Sequence, residues 1–473
     1  MRAATALERN GIPTASIIIT GFLPQGKLIA KSQGIDDLVM CGYPDTMMTD
    51  SYEQLVKKVT TVVANQAAEG LTKKSLSNRR SKPIREPGKR DIIFEGSLMD
   101  VNEYFYNRLW TDGLPVIPPT IEAVEEFLRF TDRDPEEVIS ILPHENREAT
   151  IWNVAVNGVM AGCRPEYMPV LIAIIEAISE KGDPTDPIKK GGFRPQDIGT
   201  TPGWEPLVIV SGPIARQLDF NNGQGILRFG KQSNTSIGRF LKLFIRNVCG
   251  YRIAPGTGDK GSVGQSMNVA IAENEEFVEE IGWIPYHVER GFEKEDSIVT
   301  VMSSAYVSAP CYTAGNTALA HLDTLVDQIG RKSFGLFCTW GPHTGRFEPL
   351  LLIAPPVAKR LAEEGWTKND VKKYFFEHTK TTADVMEKHW RDFNGVNFDM
   401  CAKVKEGRLP PVYCECEDPK REIPVFLGEN TLQIIVGGDP ARAQSKGFTQ
   451  SGYIGPPISK KIELPQNWAE LIR

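Results

Sequence analysis

Short apolar runs alternate with helix-like segments over the first seventy residues of the chain. Thr14–Phe22 and Asp37–Gly42 are continuous apolar runs, which is the pattern of strands buried on both faces. The segments with helical spacing around them are Arg2–Arg9, Gln25–Lys31 and Tyr52–Ala68. This alternation predicts a small parallel sheet covered by helices, a partial Rossmann- or flavodoxin-like α/β unit over residues 1–70.

A basic segment follows this unit. Residues 71–91 contain eight Lys and Arg against Glu86 and Asp91, together with two prolines. This composition predicts a solvated linker over residues 71–93. A site for an anionic partner or for nucleic acid is the alternative that such a run leaves open.

Residues 94–473 carry the signals of a large mixed α/β domain. Ser97 and Asp100 form a capping-box pattern in front of a helix at Leu98–Trp110. Further helices are predicted at Ile121–Phe130, Glu136–Leu142, Arg164–Glu180, Ile237–Val248 and Asp370–His389, and strands at Pro206–Ser211, Phe334–Thr339 and Gln433–Val436. No internal repeat is convincing, because the two halves that flank residue 290 are only vaguely alike.

The composition narrows the class of protein. A chain of 473 residues exceeds one ordinary core, and 41% hydrophobic with 24% charged residues is typical of globular proteins. A net charge of -6 argues against a nucleic-acid or membrane-surface binder. No apolar run approaches the roughly 20 residues that cross a bilayer, and the N-terminus lacks a signal-peptide core. Eight cysteines without a CxxC pair predict free thiols and a cytoplasmic location.

The richest stretch chemically is Ser266–Phe292. A predicted strand, Met267–Ala272, runs into several carboxylates, and a histidine follows about ten residues later. Ligands bind at the carboxyl ends of strands in α/β proteins, so these groups are candidates for acid–base chemistry or for holding a metal. A solvated acidic loop with a structural Glu–Arg pair is the alternative. The predicted catalytic residues are Glu273, Glu275, His287, Glu289 and Cys163.

A divalent metal is the one cofactor that these residues suggest. Its predicted ligands are His287 and Glu273 together with His343, which follows the predicted strand Phe334–Thr339. The spacing matches no established metal motif, so the cofactor stays open.

A second set of polar residues is predicted to bind the substrate: Asp112, Asn157, Lys231, Asn234, Arg239, Arg290, His343 and Lys446. The glycine-rich stretch Asn221–Arg239 leads into a helix, where backbone donors and the helix dipole favour an anion. Lys446 follows the double glycine Gly437-Gly438, which suggests a similar cradle. Ordinary turns with surface charges are the alternative for both stretches.

Separate arguments apply to two of the predicted substrate-binding residues, Asp112 and Asn157, and to the predicted catalytic residue Cys163. Asp112 is followed by the proline-rich run Leu114–Thr120, which would hold it rigidly. Asn157 lies in an apolar run and needs a hydrogen-bond partner if it is buried, so a core hydrogen bond is the alternative to catalysis. Cys163 precedes a helix whose dipole would lower the pKa of its thiol, and a buried structural thiol is the alternative.

Several segments resemble a known family. They are ERNGIPTASI, TDGLPVIPPT, VNGVMAGCRPEYMPV, AENEE and YHVERGF, with the Asn221–Arg239 loop. Together they resemble the UGSC (seleno)protein family, and the N-terminal unit is more distantly similar to the selenoprotein B subunit of glycine, sarcosine and betaine reductases. Members of that family begin with a strand and a Sec- or Cys-Gly-Ser-Cys turn. That turn is absent here, so the resemblance lends this chain no nucleophilic selenocysteine or cysteine.

These observations predict a cytoplasmic metabolic or biosynthetic enzyme that makes or breaks a C–S or C–N bond in a small anionic substrate. The chemistry would be acid–base or metal-assisted, and the chain would form homo- or hetero-oligomers. The alternative is a non-catalytic scaffold subunit of a reductase-like complex, in which a partner supplies the redox Cys or Sec motif.

Overall fold

The computed structural model describes residues 2–32, 34–35, 37–45, 47, 50–72, 88, 90–142, 147–180, 205–250, 269–335, 341–342, 345–394, 397–451 and 455–472. Most of the predicted linker, the predicted ligand His343, and most of the predicted strand Phe334–Thr339 lie outside these residues.

The N-terminal unit is a small α/β element, as the apolar pattern predicts. Its elements are α1 (Arg2–Arg9), β1 (Ser16–Ile19), α2 (Leu23–Ser32), β2 (Met40–Tyr43), α3 (Tyr52–Lys58), a π-helical turn (Val59–Val63) and α4 (Ala64–Thr72). β1 and β2 are parallel, with Ser16 opposite Met40. The Gly42 backbone amide donates a hydrogen bond to Gln66 Oε1 in α4, which connects the last helix to this pair of strands.

The remaining residues form a larger mixed α/β structure. Its helices are α5 (Leu98–Asn107), α6 (Ile121–Leu128), α7 (Ile151–Ala161), α8 (Met168–Ser179), α9 (Pro213–Gln217), α10 (Gln232–Asn247), α11 (Glu275–Glu280), α12 (Tyr286–Glu289), α13 (Ala318–Leu325), α14 (Pro355–Glu363), α15 (Lys368–His378), α16 (Ala383–Asn394), α17 (Met400–Lys405) and α18 (Trp468–Leu471). A π-helical segment, Val326–Phe334, extends α13, and 3-10 turns occur at Pro165–Tyr167 and Pro411–Cys414.

The strands of this part are β3 (Val138–Leu142), β4 (Arg147–Thr150), β5 (Glu205–Ser211), β6 (Ala270–Ala272), β7 (Ile298–Ser304), β8 (Tyr306–Val307), β9 (Cys311–Tyr312), β10 (Leu350–Ile353), β11 (Lys380–Thr382), β12 (Glu422–Pro424), β13 (Gln433–Val436), β14 (Gln444–Thr449) and β15 (Ile458–Lys461). The capping box of Ser97 and Asp100 starts α5 as predicted.

Two helix predictions were wrong because pairing between strands overrides local propensity. Val138–Leu142 is β3, not part of a helix at 136–142, and it pairs antiparallel with β4. Its Val and Ile side chains suit a strand at least as well as a helix. The predicted helix Asp370–His389 is interrupted by β11, which pairs with β12.

Two sheets with a similar arrangement of three strands form the centre of the molecule. Their strand orders are β15-β7-β5-β6 and β13-β10-β14-β8, with β9 also pairing with β14. In each sheet one central strand, β5 or β10, has a parallel neighbour on one side and an antiparallel neighbour on the other. The helix after each central strand also has a similar sequence, PIARQL at Pro213–Leu218 and PVAKRL at Pro356–Leu361. The larger structure therefore contains an internal repeat that the sequence analysis did not identify.

The two sheets pack face to face between layers of helices. Alternate residues, such as Ile209 of β5 and Leu352 of β10, share one apolar cluster between the sheets. The next residue along each strand has its side chain on the opposite face, toward the helices. Val210 packs in a cluster with α7, α8 and α10, and Ile353 packs in a cluster with α13, α14 and α15. The period of two along each strand thus produces a four-layer α–β–β–α arrangement. Among the described residues, no helix has the length and apolar character needed to span a bilayer.

Gly212 is the residue at which β5 turns into α9. Its φ is +82°, and a Cβ placed there would lie 2.0 Å from the carbonyl oxygen of Asp296. Replacing Gly212 by Ala should therefore lower the free energy of unfolding by about 3 kcal/mol, which combines left-handed strain with overpacking.

Gly282→Ala is the matched control for this prediction. Gly282 has a similar φ of +76° but no atom within 4 Å of the added Cβ, so its cost should be only about 1 kcal/mol. Urea unfolding of both variants beside the parent protein measures the difference. Equal losses for the two variants would show that the close approach to Asp296 is unimportant.

Candidate functional site

The carboxyl ends of β6 and β13 meet at one edge of the two sheets. The backbone N–H of Asn274 donates to the backbone carbonyl of Val436 at 2.8 Å, and that of Gly438 donates to the backbone carbonyl of Asn222 at 2.9 Å. These bonds bring the acidic end of β6, the glycine turn after β13 and the start of the glycine-rich loop to one place. This is the edge at which open α/β sheets bind ligands.

Glu273 is the most deeply buried of the predicted catalytic residues. Its side chain is 0% exposed, and Oε1 accepts from the Lys368 ammonium at 2.8 Å and from the Val436 amide at 3.0 Å. Oε2 accepts from the Tyr286 amide at 2.6 Å. Burial raises the pKa of the Glu273 carboxyl, against the opposing effects of Lys368 and the Tyr286 amide. With both oxygens occupied by protein donors, Glu273 joins the two sheets rather than facing a substrate.

Two residues of α15 and one of α12 extend this ion pair into a network. Lys368 lies 3.5 Å from Glu289, and Lys372 lies 3.0 Å from the same carboxylate. All three side chains are at most 13% exposed. Glu289 is therefore also committed to lysines of the protein, and the network fastens α15 to the edge of the sheets.

His287 and Glu275 form a second, separate contact. His287 is 1% exposed, and its Nδ1 lies 3.1 Å from Glu275 Oε1, within ion-pair distance but without the direction of a hydrogen bond. Its Nε2 faces the Lys294 carbonyl at 3.3 Å. Burial opposes protonation, but Glu275, the Lys294 carbonyl and Glu273 outweigh it, so the pKa of His287 is raised above its usual value.

The surroundings of His287 favour the imidazolium form. Both ring nitrogens face oxygen atoms, so neither presents a free lone pair to a substrate. Glu275 differs, because its side chain is 21% exposed while the Gly212 amide holds its Oε1 at 2.8 Å. Of the four residues at this edge, Glu275 is the one that combines a fixed position with access to solvent.

The metal site predicted from the sequence finds no support in the described part of the chain. No group of three or more His, Cys, Asp and Glu side chains there is arranged to hold an ion. The predicted ligand Glu273 is already neutralised by Lys368, and His343 lies outside the described residues.

Most of the predicted substrate-binding residues bind other parts of the protein. The Arg239 guanidinium donates two hydrogen bonds to the Asp112 carboxylate, at 2.9 and 2.8 Å. Burial alone would raise the pKa of Asp112, but the ion pair with Arg239 contributes to lowering it below its usual value. Arg290 contacts Ser459, Gln433 and Pro457 at 2.6, 3.0 and 3.1 Å.

The amides of this set are also satisfied internally. Asn234 is 1% exposed and donates to the carbonyls of Asn221 and Ala270. Buried Asn157 accepts from Asn247 at 2.9 Å, which is the core partner that its position requires. Lys231 forms an ion pair with Asp219.

The prediction of an activated Cys163 thiol was wrong. Burial raises the pKa of Cys163 to about 12, which outweighs the neighbouring Ser236 and Arg239. The residue follows Gly162, the left-handed C-cap of α7, and lies before a 3-10 turn rather than at the start of a long helix. The prediction of free thiols was also wrong at Cys401 and Cys414, which form a disulfide.

Lys446 differs from the other predicted residues. It lies on β14 directly opposite Leu352, so its side chain starts on the face between the sheets, near the carboxyl end of β10. Among the described residues its ammonium donates to the Ser308 carbonyl at 3.0 Å and has no carboxylate within ion-pair distance. Burial lowers the pKa of Lys446.

A cleft of about 1440 Å³ lies away from this edge. Residues of α5, α6 and α7 and the segment 90–96 line it, and none of Glu273, Glu275, His287 or Lys446 does. Its charged lining residues are Lys31, Arg90, Asp91, Glu95, Glu122, Arg147 and Glu148. Four acids against three bases give this cleft no preference for an anion.

Sequence reasoning missed Lys368 and Lys372, the partners of the central carboxylates. They lie 95 and 83 residues from the carboxylates that they bind. Only the capping box of Thr367 and Asp370, which starts α15, marks this segment in the sequence. A capping box predicts a helix start and gives no signal of a distant ion pair.

Glu273→Gln should lower the free energy of unfolding by about 3 kcal/mol. The variant leaves the Lys368 ammonium buried with only the more distant Glu289 as its partner, and breaking a buried pair is strongly destabilising. Glu377→Gln, at an exposed i,i+4 pair with Lys373, should cost less than about 0.5 kcal/mol. Urea denaturation measures both values, and an unchanged midpoint for Glu273→Gln would contradict the central role of this pair.

The cost of His287→Gln should depend on pH. Since the folded pKa of His287 is raised, its stabilisation is complete below the unfolded value of about 6.5 and is lost as pH rises through the folded pKa. The variant should therefore be destabilised more at pH near 6 than near 9, by ~1.4 kcal/mol per unit of pKa difference. In a Glu275→Gln background the dependence should shrink. A cost that is equal at both pH values argues against a protonated His287.

The comparisons with known proteins concern the N-terminal unit. The model of the UGSC family matches residues 1–73. No curated protein and no solved structure gives a significant match to the chain. The similarity to selenoprotein B stays an expectation, and residues 1–73 are similar to the UGSC family.

Proposed function

We propose that this chain is an enzyme that makes or breaks a carbon–heteroatom bond, C–S or C–N, in a small anionic substrate. The acid group of the substrate pairs with Lys446 at the edge where the parallel strands end. The observation that carries the proposal is the environment of this lysine, a partly buried ammonium with one carbonyl partner and no carboxylate among the described residues.

The argument is one of charge. Taking an ammonium out of water is costly unless an opposite charge compensates it. Two other buried cations among the described residues have a carboxylate partner, whereas Arg290 is held by three uncharged oxygen atoms. Lys368 pairs with Glu273, and Arg239 pairs with Asp112. At Lys446 a bound carboxylate or phosphate would supply the missing charge, and it would gain more than at the surface because water is partly excluded.

Glu275 is the residue we assign to proton transfer. It lies at the same edge of the sheets, keeps access to solvent, and is held in place by the Gly212 amide. His287 acts behind it as a positioning residue, because its ring faces Glu275 rather than open space. The choice of C–S or C–N chemistry rests on the family resemblance and on nothing in the geometry of these residues.

Binding of simple anions tests the proposal without a known substrate. At constant ionic strength, millimolar malonate, phosphate or sulfate should raise the thermal unfolding midpoint of the protein, since a ligand that binds the folded state stabilises it. Lys446→Met should abolish this increase, and Lys446→Arg should retain part of it.

Lys373→Met is the control for this experiment. Lys373 is 57% exposed and pairs with Glu377, so its loss should leave the anion-dependent increase unchanged. The proposal is wrong if Lys446→Met responds to the anions as the parent protein does. It is also wrong if none of the three anions shifts the midpoint of the parent protein.

A further inference from the structure

A group of three cysteines lies far from the edge where the parallel strands end. Cys401 in α17 and Cys414 in the 3-10 turn Pro411–Cys414 form a disulfide that closes a loop of 13 residues in sequence separation. Two residues further on, Cys416 is an exposed free thiol. The pattern Cys-Glu-Cys at 414–416 therefore places a free thiol beside one half of a disulfide.

The third cysteine is close to both bonded sulfurs. The carbonyl oxygen of Cys416 lies 3.9 Å from Cys401 Sγ and 3.7 Å from Cys414 Sγ. The backbone of Cys416 therefore lies beside the disulfide, and its side chain starts close to both bonded sulfurs. An exposed thiol next to a disulfide is an arrangement that permits exchange, because the step requires a thiolate with access to one of the bonded sulfurs.

Four other cysteines provide a contrast within the same chain. Cys41, Cys163, Cys249 and Cys311 are buried free thiols. Burial raises the pKa of Cys163 to about 12 and that of Cys311 to about 11, so these thiols stay protonated and unreactive. Among the described free cysteines, Cys416 is therefore the one that external thiols and disulfides can reach.

We propose that Cys401, Cys414 and Cys416 form a thiol–disulfide exchange site whose substrates are small dithiols and disulfides. The Cys416 thiolate attacks Cys401 Sγ, the Cys401–Cys414 bond breaks, and a Cys401–Cys416 bond forms. Cys414 leaves as a thiolate and takes up the proton that Cys416 released. This step is an isomerisation, so it consumes no electrons.

An external dithiol completes the reaction in the reducing direction. One of its thiolates attacks the exposed sulfur of Cys416 in the new disulfide and releases Cys401 as a thiol. Its second thiol then displaces Cys416 and closes a cyclic disulfide. Two electrons and two protons pass from the dithiol to the protein, and Cys416 acts as the accessible entry point to a disulfide whose other sulfurs are less exposed.

Cys414→Ser gives the most direct test. With Cys414 removed, oxidised glutathione should link Cys401 to Cys416, with the loss of two reactive thiols and the release of two molecules of reduced glutathione. Peptide mapping after acid quenching identifies the bond. If Cys401 and Cys416 stay as two thiols, or each carries glutathione, the two residues do not reach each other and the proposal is overturned.

The rate of reduction is the second readout, and it uses the intact chain. Dithiothreitol should reduce the disulfide several-fold more slowly in Cys416→Ser than in the parent protein, because the exchange path is lost. Alkylation of Cys163 during the same experiment reports unfolding, since this thiol is buried in the folded chain. Equal rates in the two proteins, with Cys163 protected in both, would count against an entry point at Cys416.

Discussion

The packing of the two central sheets depends on one buried carboxylate. Glu273 follows the short strand β6 and binds the backbone of β13, the backbone of α12 and the ammonium of Lys368 at once. A charge at 0% exposure is tolerated only with full compensation, so these partners must all be in place together. The pair thus fixes the position of the two sheets relative to each other and to α15. Apolar packing between the sheet faces is not directional and fixes this position less precisely.

This constraint also explains how two similar halves come to differ. Each half has a central strand with a parallel and an antiparallel neighbour, and the following helices PIARQL and PVAKRL are alike. At the end of the parallel neighbour, however, one half has Glu273 and the other has Gly437, where a Cβ would lie 2.9 Å from Ile226. The glycine leaves room for the Asn222–Ile226 segment beside the end of β13, and the carboxylate of Glu273 binds across to the backbone of β13.

The parts of this fold that are local in sequence could be predicted. Continuous apolar runs located β1, β2, β5 and β13, and the capping boxes located the starts of α5 and α15. Interactions between distant segments were not predictable in this way. The pairing of β3 with β4 turned a predicted helix into a hairpin, and Lys368 meets Glu273 across 95 residues without any local signal. The sequence marks Glu273 and Glu289 as candidate residues, but it gives no sign of Lys368 and Lys372, which bind these carboxylates.

The distribution of compensated and uncompensated charge separates structural from functional candidates better than residue type does. Glu273, Glu289, Asp112 and Arg239 have the chemistry of an active site, yet each already has its counter-charge within the protein. Lys446 has a less distinctive sequence context, and within the described part of the chain its ammonium donates to the Ser308 carbonyl and has no carboxylate within ion-pair distance. A partly buried ammonium without a counter-charge is costly, so an anion bound there would be stabilising. The same reasoning that assigns a structural role to the Glu273 network therefore makes the inner face of β14 the place to test for a bound anion.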